Sequence, residues 1–370
     1  LCTKLQAFFH KPFFTDPRTL FGLWALLAVV AGLTKIAPHR HNNFLIFRGV
    51  FWHTLQKVSL YAPYPQEYND HNYYGPVFSL VIAPFALVPE ALGLLLWLVV
   101  LALGMYYAVR KLPLAEGRQI FLYWFCAHEL LTALQMQQFN IAIAAIIVGT
   151  FAAIERGREI TAAFLIVLGT FVKLYGVVGL AFFFVKRKPR FILALIGWSV
   201  VCFVAPMIIS SPEYVIGQYI EWFGRLEAKN GANTFSLMQN ISLLGMIRKT
   251  TGVAEYSDLL VIIPGLVLFG LPYLRISQYR HLAFRYAILS SVLLFVVLFS
   301  TGSESSTYII PFAGIALWYT TSPWKRSGWD IALLVVAFIL SSLSPSDLFP
   351  RGLREAYVLP YALKALAPTL

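Results

Sequence analysis

Several side chains that could carry acid–base chemistry stand directly before an apolar run, in the stretch YNDHNYYGPVFSLVIAPFALVP at residues 68–89. Its polar part contains Asp70, His71, Tyr73 and Tyr74, and Glu67 directly precedes the stretch. A carboxylate in water can act as a general base, whereas tyrosines can stack on a sugar ring or form an aromatic belt at the headgroup level of a membrane. The stretch therefore predicts either a solvated loop or an active site at a membrane surface.

One lysine stands where a charge is costly. Lys173 lies about halfway along the apolar run at residues 160–184, and an unpaired ammonium group inside a membrane needs a carboxylate, a phosphate or water. A structural pair with Glu129, which interrupts an earlier apolar run together with His128, is one interpretation. A bound lipid phosphate is the other.

The composition indicates the class of protein. The 370-residue chain is 59% hydrophobic and only 12% charged, about half the charged fraction of a soluble domain. The net charge of +12 could indicate nucleic-acid binding, but the basic residues cluster at the ends of apolar runs, as membrane topology and anionic headgroups require. We therefore expect membrane lipids around the chain and no nucleic-acid partner.

We expect an all-α, polytopic transmembrane helical bundle of about 10–12 spans, as a single domain over residues 1–370. The expected spans are 19–37, 76–89, 91–109, 119–134, 138–154, 160–184, 191–210, 256–274, 282–299, 307–321 and 329–345, with a weaker one at 356–370. The second is short and contains Pro84, so a broken or tilted helix is the alternative there.

The strongest basic cluster, KRKPR at residues 186–190, sets the expected orientation. If it is cytoplasmic, counting spans puts the amino terminus inside and the loops 38–75, 211–255 and 300–306 outside, on the face that would carry the site. The same count places ERGRE at residues 155–159 outside, which violates the positive-inside rule mildly.

Residues 43–58 of the first loop, NFLIFRGVFWHTLQKV, predict a helix. Its apolar residues recur at spacings of three or four, at Phe44, Phe47, Phe51, Leu55 and Val58. Such a helix lies in the membrane interface, with its apolar stripe in lipid or against the bundle. We expect Asn42 or Asn43 at its N-cap.

In this order, from about residue 40 to residue 320, these features resemble glycosyltransferase family eighty-seven, a group of polyprenyl-phosphate-mannose-dependent mannosyltransferases of the GT-C type. The similar motifs are YYGPVFSLVIAPFALVP before and in a proline-rich second span, a GQxN-like turn at Gln138-Phe139-Asn140 with Gln137 in place of glycine, a mid-span lysine at Lys173, and an NxSL stretch at Asn240, Ser242 and Leu243 followed by Arg248.

The chain also departs from this family. The family usually has an aspartate after the first span that looks like the catalytic base, whereas Asn43 stands there in HNNFLIF. An amide cannot accept a proton at neutral pH, so either Asp70 or, second, Glu67 takes the role of the base, or the chain has lost transfer activity. The family often has a histidine near the start of the span that follows the last outer loop, whereas here Ser305, Ser306 and Thr307 follow Glu304.

The resemblance implies transfer of a sugar, with mannose expected, from a polyprenyl phosphate to a hydroxyl of a glycan or glycolipid. The reaction would take place at the outer face of the cytoplasmic membrane and would invert the configuration of the anomeric carbon. Cationic side chains would stabilise the departing phosphate. The reaction requires no metal ion or other cofactor. The expected phosphate-binding residues are His41, Arg48, Lys173 and Arg248, and the expected substrate-binding residues are His71, Tyr73, Tyr74, Gln138, Asn140, Asn240, Ser242 and Glu304.

Two other functions stay open. A transporter or flippase would use Lys173, Glu129 and His128 as an intramembrane relay, but the charged and amide residues collect in the loops, which favours chemistry at the surface. A non-catalytic relative that binds a glycolipid is favoured by Asn43. The sequence identifies neither the linkage nor the oligomeric state.

Overall fold

The computed structural model describes residues 11–37, 39–184, 189–253 and 255–370, and within these residues it contains helices and no β-strand. The principal helices are α1 (Pro17–Ile36), α2 (Asn42–Gln56), α3 (Phe78–Ala86), α4 (Glu90–Arg110), α5 (Glu116–Gln135), α6 (Asn140–Glu155), α7 (Glu159–Val172), α8 (Pro189–Val204), α9 (Pro212–Ala232), α10 (Leu243–Thr251), α11 (Leu259–Gly270), α12 (Leu282–Leu298), α13 (Ile309–Thr321) and α14 (Gly328–Ala337). The shorter helical pieces are Pro12–Thr15, Leu174–Phe184, Ala205–Ile208, Leu271–Leu274, Ile276–Arg280, Ser305–Tyr308, Phe338–Leu343, Arg351–Leu353, Arg354–Val358, Leu363–Ala365 and Leu366–Thr369. The predicted all-α bundle is confirmed.

Three helices of the described residues could cross a membrane by their length and composition: α1, α4 and the stretch Pro189–Ile208. Shorter apolar helices accompany them at Asn140–Glu155, Glu159–Val172, Leu259–Leu274, Leu282–Leu298 and Gly328–Leu343. α1 packs between α4 and α5, and α12 packs along α13. Large apolar side chains on α8 and α11, such as Leu193 and Leu260, are about 70% exposed, as expected where a helix faces lipid.

The second expected span, at residues 76–89, does not cross the bundle. Its helix, α3, has nine residues, which makes it about 13 Å long against a hydrocarbon core of about 30 Å. The Arg48 side chain on α2 reaches both the carbonyl of Ala86 at the end of α3 and the carboxylate of Glu90 at the start of α4, each at 3.2 Å. The prediction of a span here is therefore wrong, and α4 begins beside α2.

The sixth expected span, at residues 160–184, consists of two antiparallel segments. α7 ends at Val172, Lys173 has an extended backbone, and the 3-10 helix Leu174–Phe184 returns along α7. A Cβ on Gly176 would collide with the backbone at Gly169, so the close approach of the two segments requires glycine there. Lys173 therefore lies at a turn and not in the middle of a span.

Because residues 76–89 do not cross the bundle and residues 160–184 turn back at Lys173, the loops between these two segments lie on the side of the bundle opposite to the one expected. Arg285 at the start of α12 pairs with Glu155 at the end of α6, with Nη2 and Oε2 2.7 Å apart. Residues 155–159 therefore lie with Arg285, and the expectation that they share a side with the first loop is wrong. We call this side the basic end.

The basic end collects many of the cations that flank the apolar helices. They include Arg110, Lys111, Arg156, Arg158, Arg190, Arg275, Arg285, Lys325 and Arg326, whereas residues 186–188 of KRKPR lie outside the described residues. The opposite side, which we call the loop end, contains the first loop, residues 136–139, the turn at Lys173, α9 and residues 300–307.

The helix predicted in the first loop is present as α2. The first three members of its apolar stripe are buried, while Leu55 and Val58 remain 41% and 38% exposed. The stripe therefore packs mainly against the bundle. The N-cap is His41, because the helix begins at Asn42, and not Asn42 or Asn43 as expected.

Candidate active site

A cavity of about 450 Å³ opens at the loop end between the first loop, α9 and residues 300–304. We call it the central cavity. Residues from distant parts of the sequence meet on its wall. The predicted site residues among them are Asn43, Asp70, His71, Tyr73, Tyr74, Gln138, Lys173 and Glu304.

Asp70 carries a carboxylate oxygen that is open to a substrate. Its backbone has a φ of 75°, a left-handed conformation that aspartate tolerates better than most residues. Oδ1 accepts hydrogen bonds from the backbone N–H of His71 at 2.8 Å and from the Tyr73 hydroxyl at 3.1 Å. Among the described residues none donates to Oδ2, so this exposed carboxylate can accept a proton.

Tyr73 links Asp70 to two cations on α9. The Lys229 ammonium lies 3.7 Å from the centre of the Tyr73 ring, and the Arg225 guanidinium lies 5.4 Å from it. Burial raises the pKa of the Tyr73 hydroxyl, and the nearby Asp70 carboxylate raises it further. The phenol therefore stays protonated and donates to Asp70.

Lys173 enters the cavity from the turn between α7 and the 3-10 helix. Its Nζ donates to Asn140 Oδ1 at 2.6 Å, and the Asn140 amide in turn donates to Gln138 and Ser306 at 2.8 and 2.9 Å. Burial lowers the pKa of Lys173 to about 8, although Glu304 opposes the shift. The ammonium is thus held by a neutral amide and has a cavity in front of it.

The alternative interpretation of Lys173, a pair with Glu129, is wrong. Glu129 pairs with Lys364, whose Nζ lies 2.9 Å from Glu129 Oε1. The relay of Lys173, Glu129 and His128 considered for a transporter is likewise not formed as a chain of contacts, because His128 bonds Ser342 at 2.9 Å.

Glu304 organises the cavity wall. Its Oε1 lies 3.6 Å from Lys229 Nζ, and its Oε2 accepts a hydrogen bond from Gln138 Nε2 at 2.7 Å. The same side chain forms a capping box with Thr307 at the start of the 3-10 helix Ser305–Tyr308. Because both oxygens have partners, Glu304 is less available as a base than Asp70.

Other predicted residues of the first loop lie outside the lining of the central cavity. Glu67 bonds the ring of His53 at 3.1 Å. His41 and Arg48 share one carboxylate, that of Glu90, at 2.5 and 3.2 Å. The contacts of His41 and Arg48 with Glu90 fasten α2 to the start of α4.

The predicted residues of the long loop also lie outside this lining. The hydroxyl of Ser242 caps α10 by accepting from Gly245 N at 3.0 Å and donates to Asn240 Oδ1 at 2.8 Å. Arg248 pairs with Asp258 and donates to the carbonyl of Tyr256 at 2.9 Å. These contacts of Ser242 and Arg248 stabilise the fold of the long loop.

Sequence reasoning missed several residues of the cavity wall. They are Tyr175, Trp222, Leu226, Lys229, Asn230, Asn233, Ser300 and Thr301. The available signal was the pair of cations Arg225 and Lys229, four residues apart in a loop already assigned to the site. Four residues is about one helical turn, so both would point to one side.

A second cavity of about 780 Å³, which we call the lateral cavity, lies beside the first at the loop end. Met136 lines both. The wall of the lateral cavity includes the basic residues Lys35, Arg40, Arg354 and Lys364 together with His128 and the acidic residues Asp347 and Glu355.

No group of three or more histidines, cysteines, aspartates or glutamates within the described residues is arranged to hold a metal ion. A comparison with protein families finds that the sequence model of glycosyltransferase family 87 matches residues 72–301, more than half of the chain. The matched segment contains Tyr73, Lys173 and Lys229. No curated protein matches the chain.

Proposed function

Because this chain belongs to glycosyltransferase family 87, and is therefore a membrane glycosyltransferase, we propose that it transfers a sugar, with mannose expected, from a polyprenyl phosphate to a hydroxyl of a glycan or glycolipid. The observation that carries the proposal is the shared cavity wall of Asp70, Lys173 and Lys229. It combines a base for the acceptor with cations for the leaving phosphate.

In this proposal, the sugar phosphate of the donor binds against Lys173 and Lys229. Asn140, Tyr73 and Glu304 hold these two ammonium groups in place. Cations fixed before the reaction stabilise the charge that develops on the phosphate as the bond breaks.

Asp70 serves as the base. It takes the proton of the acceptor hydroxyl while the acceptor oxygen attacks the anomeric carbon. The bond from this carbon to the phosphate oxygen breaks on the opposite face, and its electron pair leaves with the phosphate. One displacement inverts the anomeric configuration.

An apolar groove supports a lipid-linked donor. It has a volume of about 440 Å³ and is lined by the 3-10 helix after Lys173, α11 and α12, including Val178, Phe269 and Phe295. Val178 follows the cavity residue Tyr175 by one turn of this helix, so the groove begins close below the central cavity. A polyprenyl chain could lie here in contact with lipid.

The lateral cavity supports a route for the acceptor, because it adjoins the central cavity at Met136. The basic end supports an orientation with the site on the outer face of the cytoplasmic membrane, since short cytoplasmic loops carry the excess of lysine and arginine.

A transfer assay tests this function. The purified chain in lipid would receive labelled polyprenyl-phosphate mannose and a mixed glycolipid acceptor, and Asp70→Asn should lower turnover by about 10²–10⁴-fold. Glu67→Gln, which lies outside the lining, should keep most of the activity. Full turnover by Asp70→Asn would remove Asp70 from the role of the base.

A non-catalytic relative is the second candidate, and the position of Asn43 favours it. Asn43 lines the central cavity, where its Nδ2 donates to the carbonyl of Met136 at 2.8 Å. Binding of the donor without turnover by the wild-type chain, for any sugar or acceptor in the mixture, would favour this candidate. Uptake of substrate into proteoliposomes without donor binding would instead favour a transporter.

A further inference from the structure

A groove of about 640 Å³ lies on the outside of the bundle, among residues that do not line the central cavity. α3, α4, α6 and α7 form its walls. It extends from Trp97 and Phe139 to Lys111, Arg156 and Arg158 at the basic end. Along α4 and its C-cap, the fourteen residue steps from Trp97 to Lys111 correspond to about 21 Å, more than the ~15 Å half-thickness of a hydrocarbon core.

Small and apolar side chains form most of this groove. The small ones are Gly104, Ala108, Ala142, Ala145, Gly149, Ala152 and Ala153. They keep the groove open between larger side chains such as Val100 and Leu165. No aspartate or glutamate of the described residues lines it.

The three cations at the basic end are exposed. In the part of the chain that the structure describes, the side chains of Lys111, Arg156 and Arg158 form no hydrogen bond or ion pair. Two nearby carboxylates are engaged with other cations, since Glu155 pairs with Arg285 and Glu116 lies 3.7 Å from Arg110.

An apolar groove with excess positive charge at one end has the complementary shape and charge of a lipid with an anionic headgroup. We propose that this groove binds one anionic phospholipid. Its phosphate lies among Lys111, Arg156 and Arg158, and an acyl chain extends along the small residues. Arginine suits this task because its guanidinium forms two parallel hydrogen bonds to phosphate. The site is separate from the proposed transfer reaction and does not depend on it.

Native mass spectrometry of the full chain, released from nanodiscs, tests this proposal. The probe is palmitoyl-oleoyl phosphatidylglycerol, compared with phosphatidylcholine of the same acyl chains and with glycerol phosphate alone. We expect one retained phosphatidylglycerol per chain and no comparable retention of the other two. The variant Lys111→Gln/Arg156→Gln/Arg158→Gln should weaken this binding on the order of a hundredfold.

The control removes three exposed basic-end charges outside the groove, as Arg118→Gln/Arg275→Gln/Lys325→Gln, and should bind as the wild type does. A second variant leaves the charges in place and fills the groove. A Cβ at Gly104 would meet no atom within 4 Å, so Gly104→Leu should fold normally and weaken binding at least tenfold. Gly22→Leu, on the open surface of α1, should not.

Equal loss in both charge variants would show general attraction of anionic lipid and overturn the site. Equal retention of phosphatidylcholine, or of glycerol phosphate without chains, would overturn the proposed ligand. A dimer that Gly104→Leu disrupts would show that a second copy of the chain fills the groove. That result would also contradict the proposal.

Discussion

Lys173 and Lys364 are two lysines of apolar sequence segments whose surroundings in the structure differ. Lys364 is buried, and its Nζ donates to Glu129 Oε1 at 2.9 Å and to the carbonyl and hydroxyl of Ser305 at 2.9 and 3.0 Å. Lys173 is half-buried, donates to the neutral amide of Asn140 at 2.6 Å, and borders the central cavity.

The difference separates a structural cation from one that is available to a ligand. Lys364 has three acceptors, one of them a carboxylate, so its role is to join the C-terminal helices to α5 and residue Ser305. Lys173 has no carboxylate in direct contact within the described residues, so an anion in the cavity would complete its surroundings.

The largest expected effect comes from breaking the buried ion pair of Lys364 and Glu129. Lys364→Met leaves the Glu129 carboxylate buried without its cation, which should lower the free energy of unfolding by about 3–5 kcal/mol. Thermal unfolding in detergent would show the loss as a lower midpoint.

The double variant Glu129→Gln/Lys364→Met serves as the control for this prediction. It removes both charges, so it should recover most of the lost stability. If the single variant unfolds like the wild type, Lys364 is not the structural cation described here.

The second prediction concerns Lys173. Lys173→Met should lower transfer by about a hundredfold, the scale of one lost electrostatic contact to the reacting group. Its unfolding midpoint should fall less than that of Lys364→Met, because the change leaves the buried Asn140 carbonyl without its donor but no buried carboxylate without a partner. A destabilised but active Lys173→Met protein would reverse the roles assigned to the two lysines.

The third prediction is a pH dependence. Because the pKa of Lys173 is lowered to about 8, this ammonium group of the free site loses its charge as the pH rises through 8. Affinity for a polyprenyl phosphate should therefore fall by about tenfold for each pH unit above this value. Binding by Lys173→Met should lack this step, which would be seen in titrations between pH 6.5 and 9.5.

The smallest expected effect is at Tyr73, which connects Asp70 with Lys229. Tyr73→Phe removes the hydrogen bond to Asp70 and keeps the ring against Lys229. The loss of one such bond to a charged group predicts a fall in turnover of about tenfold, with donor affinity unchanged. A change in donor affinity alone would place Tyr73 in phosphate binding instead.

The fold class and much of the cavity follow from the sequence, because apolar runs and polar loops report the surroundings that each segment needs. The turn at Lys173 does not, since residues 160–184 are apolar on both sides of it and the signal is a close approach between Gly169 and Gly176. The run at residues 76–89 also resembles a span until its nine-residue helix is seen.

The site shows the same division. Asp70 and Lys173 could be predicted because each is unusual in its local sequence. Arg248 was predicted to bind phosphate because it is a cation that follows the NxSL motif. It pairs with Asp258 instead, and this pairing depends on how the long loop folds. Lys229 was missed because cations in a polar loop are common, and its contact with Tyr73 arises only in three dimensions.

The central claim is that Lys173 and Lys229 hold the phosphate of a lipid-linked sugar. Calorimetric titration of a short-chain polyprenyl phosphate into the chain in nanodiscs at pH 7 tests it most directly. The variant Lys173→Met/Lys229→Met is compared with the control Lys57→Met/Lys325→Met, whose two positions lie outside the cavity. The account predicts at least a hundredfold weaker binding in the first variant and wild-type binding in the second. Equal affinity in the two variants would contradict it.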